Sequence, residues 1–182
     1  MFFKRMQLSI YCLLIGLSGV GQSTTEQLSA VMHTFHHYNM FDGAVLVADH
    51  GTVVYKEAFG LANREWDIPN STDTKFMIGS ISKPLTATLI LILTEKNLIN
   101  LDSSLSYYVP QFKDKPASKV TIKQLLNHTS GLPNYDIIRD FFPRISRQSF
   151  TREEYLEIFQ DSALAFEPGS RYMYSSWGYY TL

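Results

Sequence analysis

The chain has 182 residues, 45% of them hydrophobic and 18% charged, with a formal net charge of −1. It is long enough and apolar enough to bury a core as one soluble globular domain. Its 16 basic and 17 acidic residues are interspersed, with no long run of one sign, so no nucleic-acid partner is expected.

Lys4 and Arg5 precede an apolar run over residues 8–20, and Gly19 and Gly21 supply small residues at the spacing a signal peptidase needs. This predicts a signal peptide over residues 1–21, with Gln22 first in the mature chain and export to the periplasm or the extracellular space. The run is shorter than the roughly 20 residues that cross a bilayer, which argues against a retained anchor. No second segment is long enough to be a membrane span. Cys12 is the one cysteine and sits inside the apolar run, with no small residue before it. A lipoprotein is therefore disfavoured, and the mature chain holds no disulfide, thiol nucleophile or Cys–zinc site.

Ser23 and Glu26 predict a capping box that opens a helix, along which Leu28, Val31, Met32, Phe35 and Tyr38 share one face. Asp42-Gly43 ends that pattern. Residues 44–48 and 53–59 read as strands joined by the turn Asp49-His50-Gly51-Thr52. A looser segment through Pro69, Asn70 and Ser71 leads to Gly79. Residues 82–96 are helical in pattern, with Pro84 in the first turn and Asn97 as the stop. Leu85, Leu89, Ile90, Leu91, Ile92 and Leu93 make that helix apolar almost all round, which predicts burial at the centre of the domain. Thr121 opens a short helix through Leu126, closed by His128-Thr129-Ser130-Gly131. Thr151 and Glu154 form a second capping box ahead of a helix to about Gln160. Pro168-Gly169 then turns the chain into an aromatic stretch from Tyr172 to Tyr180.

Ser80-Ile81-Ser82-Lys83 places a serine and a lysine three residues apart at the start of a helix, where both lie on one face. A serine hydroxyl is a poor nucleophile until a neighbour takes its proton or stabilises its alkoxide, and a desolvated lysine can do either. The helix N-terminus adds unpaired N–H groups that favour a developing anion. The plain alternative is a capping serine beside a solvated lysine. Tyr174, in Tyr174-Ser175-Ser176, can pass a proton if a nearby ammonium lowers its pKa. The alternative there is simple packing, since Tyr172, Trp177, Tyr179 and Tyr180 crowd the same stretch. His33 and His37 stand four apart on the first helix, but no glutamate lies between them in a zinc-peptidase pattern and no third ligand is evident. No metal or cofactor is expected.

Four blocks in this order resemble the class C β-lactamase-related serine hydrolases. They are Gly43-Ala44-Val45-Leu46-Val47, the stretch from Phe76 to Lys83, the block from Leu125 through His128-Thr129-Ser130-Gly131-Leu132-Pro133, and Pro168-Gly169 through Ser176. The resemblance covers essentially all of the mature chain. It implies an α+β fold of the β-lactamase/transpeptidase type, an antiparallel sheet with flanking helices and a helical region. It also implies roles: Ser80 acylated by the substrate carbonyl, Lys83 and Tyr174 moving its proton, and the Ser80 N–H as one oxyanion donor. The His128 block is implied to be a structural turn near the site. The expected substrate has a carbonyl centre: a D-Ala-D-Ala peptide, a β-lactam or a small ester.

Two departures qualify that resemblance. Ser176 stands where the family's Tyr-x-Asn motif has asparagine, a shorter substrate-binding donor that favours a peptidase or esterase over a dedicated β-lactamase. The family's third motif, Lys-Thr-Gly or His-x-Gly on a later strand, does not occur in the 182 residues. That strand supplies the second oxyanion donor, and losing one such donor costs about 10²–10³ in rate. The expectation is therefore a fragment of a longer fold with an apolar surface left open. The rival expectation is a non-catalytic remnant or binding protein.

Overall fold

A computed structural model describes residues 23–182; the predicted export signal over residues 1–21 lies outside them. The described chain forms two compact units, one ending at Met77 and one running from Ile78 to Leu182.

The first unit opens with helix α1 (Thr24–His37), capped as predicted by Ser23 and Glu26. Strands β1 (Gly43–Asp49) and β2 (Thr52–Phe59) follow as an antiparallel pair. His50 and Gly51 both take positive φ, 45° and 79°, the geometry a two-residue hairpin turn needs. Residues 61–69, expected to be irregular, instead form a second small antiparallel pair, β3 (Leu61–Asn63) with β4 (Ile68–Pro69). Helix α1 lies against β2, with the Thr25 hydroxyl donating to the Val54 carbonyl at 2.9 Å. The predicted apolar face is corrected here: Leu28 and Met32 are half-buried, but Val31, Phe35 and Tyr38 are exposed. The rings of His33 and His36 occupy the side facing Phe59, at 5.1 and 5.5 Å. His33 Nε2 also lies 3.1 Å from Glu57 Oε1, while His37 packs on Tyr38. The two histidines thus have separate partners.

The second unit begins with a 3₁₀ turn (Gly79–Ile81) that runs into helix α2 (Ser82–Glu95). Asn97 stops the helix in the left-handed conformation, φ 58°. Its N–H bonds Thr94 O and the next N–H, of Leu98, bonds Leu93 O, both at 2.9 Å. The burial predicted for α2 is not found. Ile90 alone of its residues is buried, and Leu85, Leu89, Leu91 and Ile92 are exposed. An all-round apolar helix needs neighbours on every side, and the core cluster containing Ile90 covers just one. Among the described residues, no helix is long and apolar enough to cross a membrane.

The core is built by short elements: α3 (Leu105–Tyr108), a 3₁₀ turn (Pro110–Phe112), α4 (Ile122–Leu126), α5 (Arg152–Glu157) and α6 (Ser176–Tyr180). Both α4 and α5 start with capping boxes, Thr121 with Gln124 and Thr151 with Glu154. Helix α5 ends at Glu157, three residues before the expected limit, and turns at once to bury Phe159. Leu105, Phe112, Val120, Leu125, Leu132, Phe159 and Trp177 form the buried centre. Phe159 and Trp177 stack face to face at 4.7 Å and 7°. Truncating Trp177 removes one wall of this core. Trp177→Ala should cost about 3–5 kcal/mol in chemical denaturation, whereas Trp66→Ala, at a side chain 76% exposed, should change stability by about 0.5 kcal/mol or less.

Candidate active site

Gly79 adopts φ 51°, a left-handed conformation that glycine accepts without strain, and so turns the chain into the helical segment bearing Ser80. The Ser82 hydroxyl donates to the Gly79 carbonyl at 2.8 Å and braces that turn. One helical turn on from Ser80, Lys83 donates from Nζ to Ser80 Oγ at 3.1 Å. Tyr174, 94 residues further along the chain, brings its hydroxyl to 2.6 Å from the same Oγ. The serine oxygen is thus held between an ammonium and a phenol. Ser80 is exposed and Tyr174 is 38% exposed, so the group is open to an incoming molecule.

Tyr174 is brought there by hydrogen bonds to the loop after α4. Met173 N–H donates to the His128 carbonyl at 2.9 Å, and Ser175 N–H to His128 Nδ1 at 3.2 Å. The buried Ser175 hydroxyl donates to Pro133 O at 2.9 Å and also caps α6 by accepting Gly178 N–H at 3.0 Å. Ser176 N–H donates to Asn134 Oδ1 at 2.9 Å. The loop can present these acceptors because His128 and Gly131 take φ of 60° and 76°. A Cβ on Gly131 would run into the Phe166 carbonyl oxygen. The segment expected to be a turn packed near the site is therefore the frame on which Tyr174 hangs.

Lys83 dominates the electrostatics. Its Nζ sits over the Tyr174 ring at 5.0 Å and over the Tyr179 ring at 5.7 Å. Hydrogen bonding by Lys83, then by Ser80, holds the Tyr174 phenol below the usual tyrosine value, against the opposing effect of burial. Ser176 adds a smaller lowering effect on the same phenol. That places the Ser176 side chain beside Tyr174, adjacent to the group that joins Ser80, Lys83 and Tyr174. Burial, and then the Lys83 charge, push His128 below the usual histidine range. Burial pushes Tyr179 up instead. An ammonium beside a phenol favours the phenolate, and a phenolate hydrogen-bonded to a serine can accept its proton. Among the described residues, no group of three or more His, Cys, Asp or Glu side chains is placed to hold a metal ion.

Ser80, Lys83, Tyr174 and Ser176 were all legible as candidates in the sequence. Asn134 and Ser175 were not, because each acts on main-chain groups that carry no sequence signature. The one available hint was a polar pair, Ser130 and Asn134, flanking an apolar Leu132-Pro133 stretch ahead of the irregular loop.

Residues 24–182 match the Beta-lactamase family. The chain belongs to that family. It is similar to a penicillin-binding protein of Bacillus subtilis, 34% identical over 88% of this chain and 35% of the relative. It is also similar to the esterase EstB of Burkholderia gladioli, 34% identical over 84% of this chain and 42% of that protein. Among solved structures, a penicillin-binding protein from Bacillus halodurans superposes with a TM-score of 0.69 at 30% identity, covering 82% of this chain and 47% of the other. The fold is that of the β-lactamase/transpeptidase type, and the chain spans less than half the length of these relatives.

The lowered pKa of Tyr174 depends first on Lys83 and then on Ser80, both present without substrate, so it can be read in the free protein. In Lys83→Met, the ultraviolet titration assigned to Tyr174 by difference against Tyr174→Phe should move up toward about 10. An unchanged midpoint would show that the ammonium does not set it.

Proposed function

We propose that the protein is an exported serine hydrolase that cleaves amide or ester substrates through an acyl-enzyme on Ser80. The observation that carries this reading is Ser80 Oγ held at 3.1 Å from Lys83 Nζ and 2.6 Å from Tyr174 OH. Tyr174, as phenolate, takes the Ser80 proton while Oγ bonds to the substrate carbonyl carbon. Lys83 keeps its proton and stabilises both the phenolate and the forming alkoxide. The tetrahedral adduct collapses as the leaving amine or alcohol takes the proton from Tyr174. Water then attacks the acyl-serine, giving up its proton along the same route, and frees the acid and Ser80. The Ser80 N–H, at the start of the helical segment, supplies an oxyanion donor. The steps use side chains and main-chain groups, with no metal or cofactor invoked.

Substrate class follows from the relatives and from Ser176. The relatives are named as penicillin-binding proteins and an esterase, which supports D-Ala-D-Ala peptides, β-lactams or small esters as the candidates. Ser176 offers a short hydroxyl where a longer amide is common, and this favours a peptidase or esterase. The apolar run behind Lys4 and Arg5 supports export.

A fluorophosphonate or fluorescent penicillin should label the protein at Ser80, and Ser80→Ala should not label. Equal labelling of both would end the assignment, and labelling of neither would favour a binding role. The rate should rise with pH, because the reacting form of Tyr174 is the deprotonated one, and reach its plateau above a midpoint that lies below the ordinary tyrosine value. Tyr174→Phe should lose about 10²–10⁴ in rate together with that pH dependence.

A further inference from the structure

We propose that His128 is a positioning residue for Tyr174, and that it holds Tyr174 on Ser80 only as a neutral ring. The inference rests on the reading of Ser80, Lys83 and Tyr174 given above.

His128 clamps both chain neighbours of Tyr174. Its carbonyl takes Met173 N–H at 2.9 Å and its Nδ1 takes Ser175 N–H at 3.2 Å. An Nδ1 that accepts a main-chain N–H bears no proton, so the neutral ring carries its hydrogen on Nε2. The ring also lies against Tyr174 itself, with centroids 4.6 Å apart and planes inclined by 35°. The titratable groups facing it are Lys83 on α2, Tyr172 and Tyr174 on the segment ahead of α6, and Tyr179 on α6. Lys83 is the cation among them, and it already repels a second positive charge.

Protonation changes the geometry in a definite direction. A hydrogen on Nδ1 would face the Ser175 N–H, donor against donor, and the bond would be lost. One of the three ties on the C-terminal side of Tyr174 is then lost, the one nearest its own Cα, and the hold on the phenol at 2.6 Å from Ser80 Oγ loosens. Because burial and Lys83 hold His128 below its ordinary range, the neutral clamp persists at neutral pH and is lost only in acid. Titration of Tyr174 alone makes the acylation rate fall about tenfold per pH unit below its midpoint. With His128 also required neutral, the fall steepens to about a hundredfold per unit at the acid end.

The experiment follows Ser80 labelling by a fluorophosphonate from about pH 4 to about pH 9 in wild type, His128→Asn and His128→Gly. Asparagine and glycine both accept the φ of 60° at this position. Asparagine sets an oxygen where Nδ1 stands and does not titrate. His128→Asn should keep the neutral-pH rate within about threefold and lose the steep acid limb, whereas His128→Gly should lose about tenfold or more at every pH. A hundredfold-per-unit acid limb that persists in His128→Asn, or a full rate in His128→Gly, overturns the proposal. Should the glycine variant not fold, nitrogen NMR of wild-type His128 must show the Nε2–H tautomer, and an Nδ1–H tautomer overturns it equally. Failure of the underlying reading looks different: Ser80→Ala would then label as wild type does, whatever the pH profile.

Discussion

Tyr174 meets Ser80 because the chain from Met173 to Ser176 is tied, at four hydrogen bonds, to the loop from His128 to Asn134. Lys83 needs no such device, since helical spacing alone brings it to Ser80. Tyr174 arrives from 94 residues away, and a phenol displaced by 1 Å no longer shares a short hydrogen bond with Oγ. The tie uses three main-chain N–H groups and the Ser175 hydroxyl on one stretch of chain, and two carbonyls, an imidazole nitrogen and an amide oxygen on the other. Such acceptors have fixed directions, so the register of Tyr174 is set to one position. Left-handed conformations at His128 and Gly131 are what aim the acceptors. The order of dependence therefore runs from two unusual φ angles, to four hydrogen bonds, to the single contact between Tyr174 OH and Ser80 Oγ.

A single positive charge then acts in several ways at once. Lys83 lowers the pKa of Tyr174, which favours the phenolate, and adds to burial in lowering that of His128, which preserves an acceptor. Both effects favour the arrangement at neutral pH, although one group becomes more anionic and the other merely stays uncharged. The aromatic faces of Tyr174 and Tyr179 hold the ammonium by their ring electrons while leaving its protons free for Ser80 Oγ. Tyr179 is itself anchored by donating to Leu126 O at 2.8 Å, from the helix that leads into the His128 loop. The cation is thus enclosed by rings that are tied to the same frame as Tyr174.

The sequence displayed what local rules control. Capping boxes at Ser23, Thr121 and Thr151 form because cap and partner are three residues apart and need nothing else. The spacing of Ser80 and Lys83 is local in the same sense. Tyr174 was legible as one of two readings, and the resemblance decided between them, since its neighbours are as aromatic as a packed core. Helix α2 shows the limit of hydropathy. Its pattern is apolar on all sides, but burial is a property of neighbours, and the neighbours here meet it along the Ile90 side. Helix α1 likewise leaves Val31, Phe35 and Tyr38 exposed, while the imidazole rings of His33 and His36 are the groups that meet Phe59. Asn134 and Ser175 stayed hidden because their partners are main-chain atoms, present at every position and distinguishable only after folding.

The placement of rigidity explains how an open site can still be well ordered. Ser80 and Tyr174 are accessible. The residues that hold them are not: Ser130 and Ser175 are 1% and 0% exposed, Leu132 is 0% and Trp177 is 1%. Trp177 directly follows Ser176, so the stack of Trp177 on Phe159 fixes the far end of the segment whose near end is clamped by His128. Ser175 serves both layers, donating to Pro133 O on the loop and accepting from Gly178 N–H in α6. Its hydroxyl has one hydrogen and two lone pairs, and this geometry uses the hydrogen and one pair. Replacing it by alanine would unfasten the loop and the helix together, leaving buried partners unpaired on both sides. The small buried hydroxyl of Ser175 is thus where core packing is converted into the position of the neighbouring Tyr174 side chain.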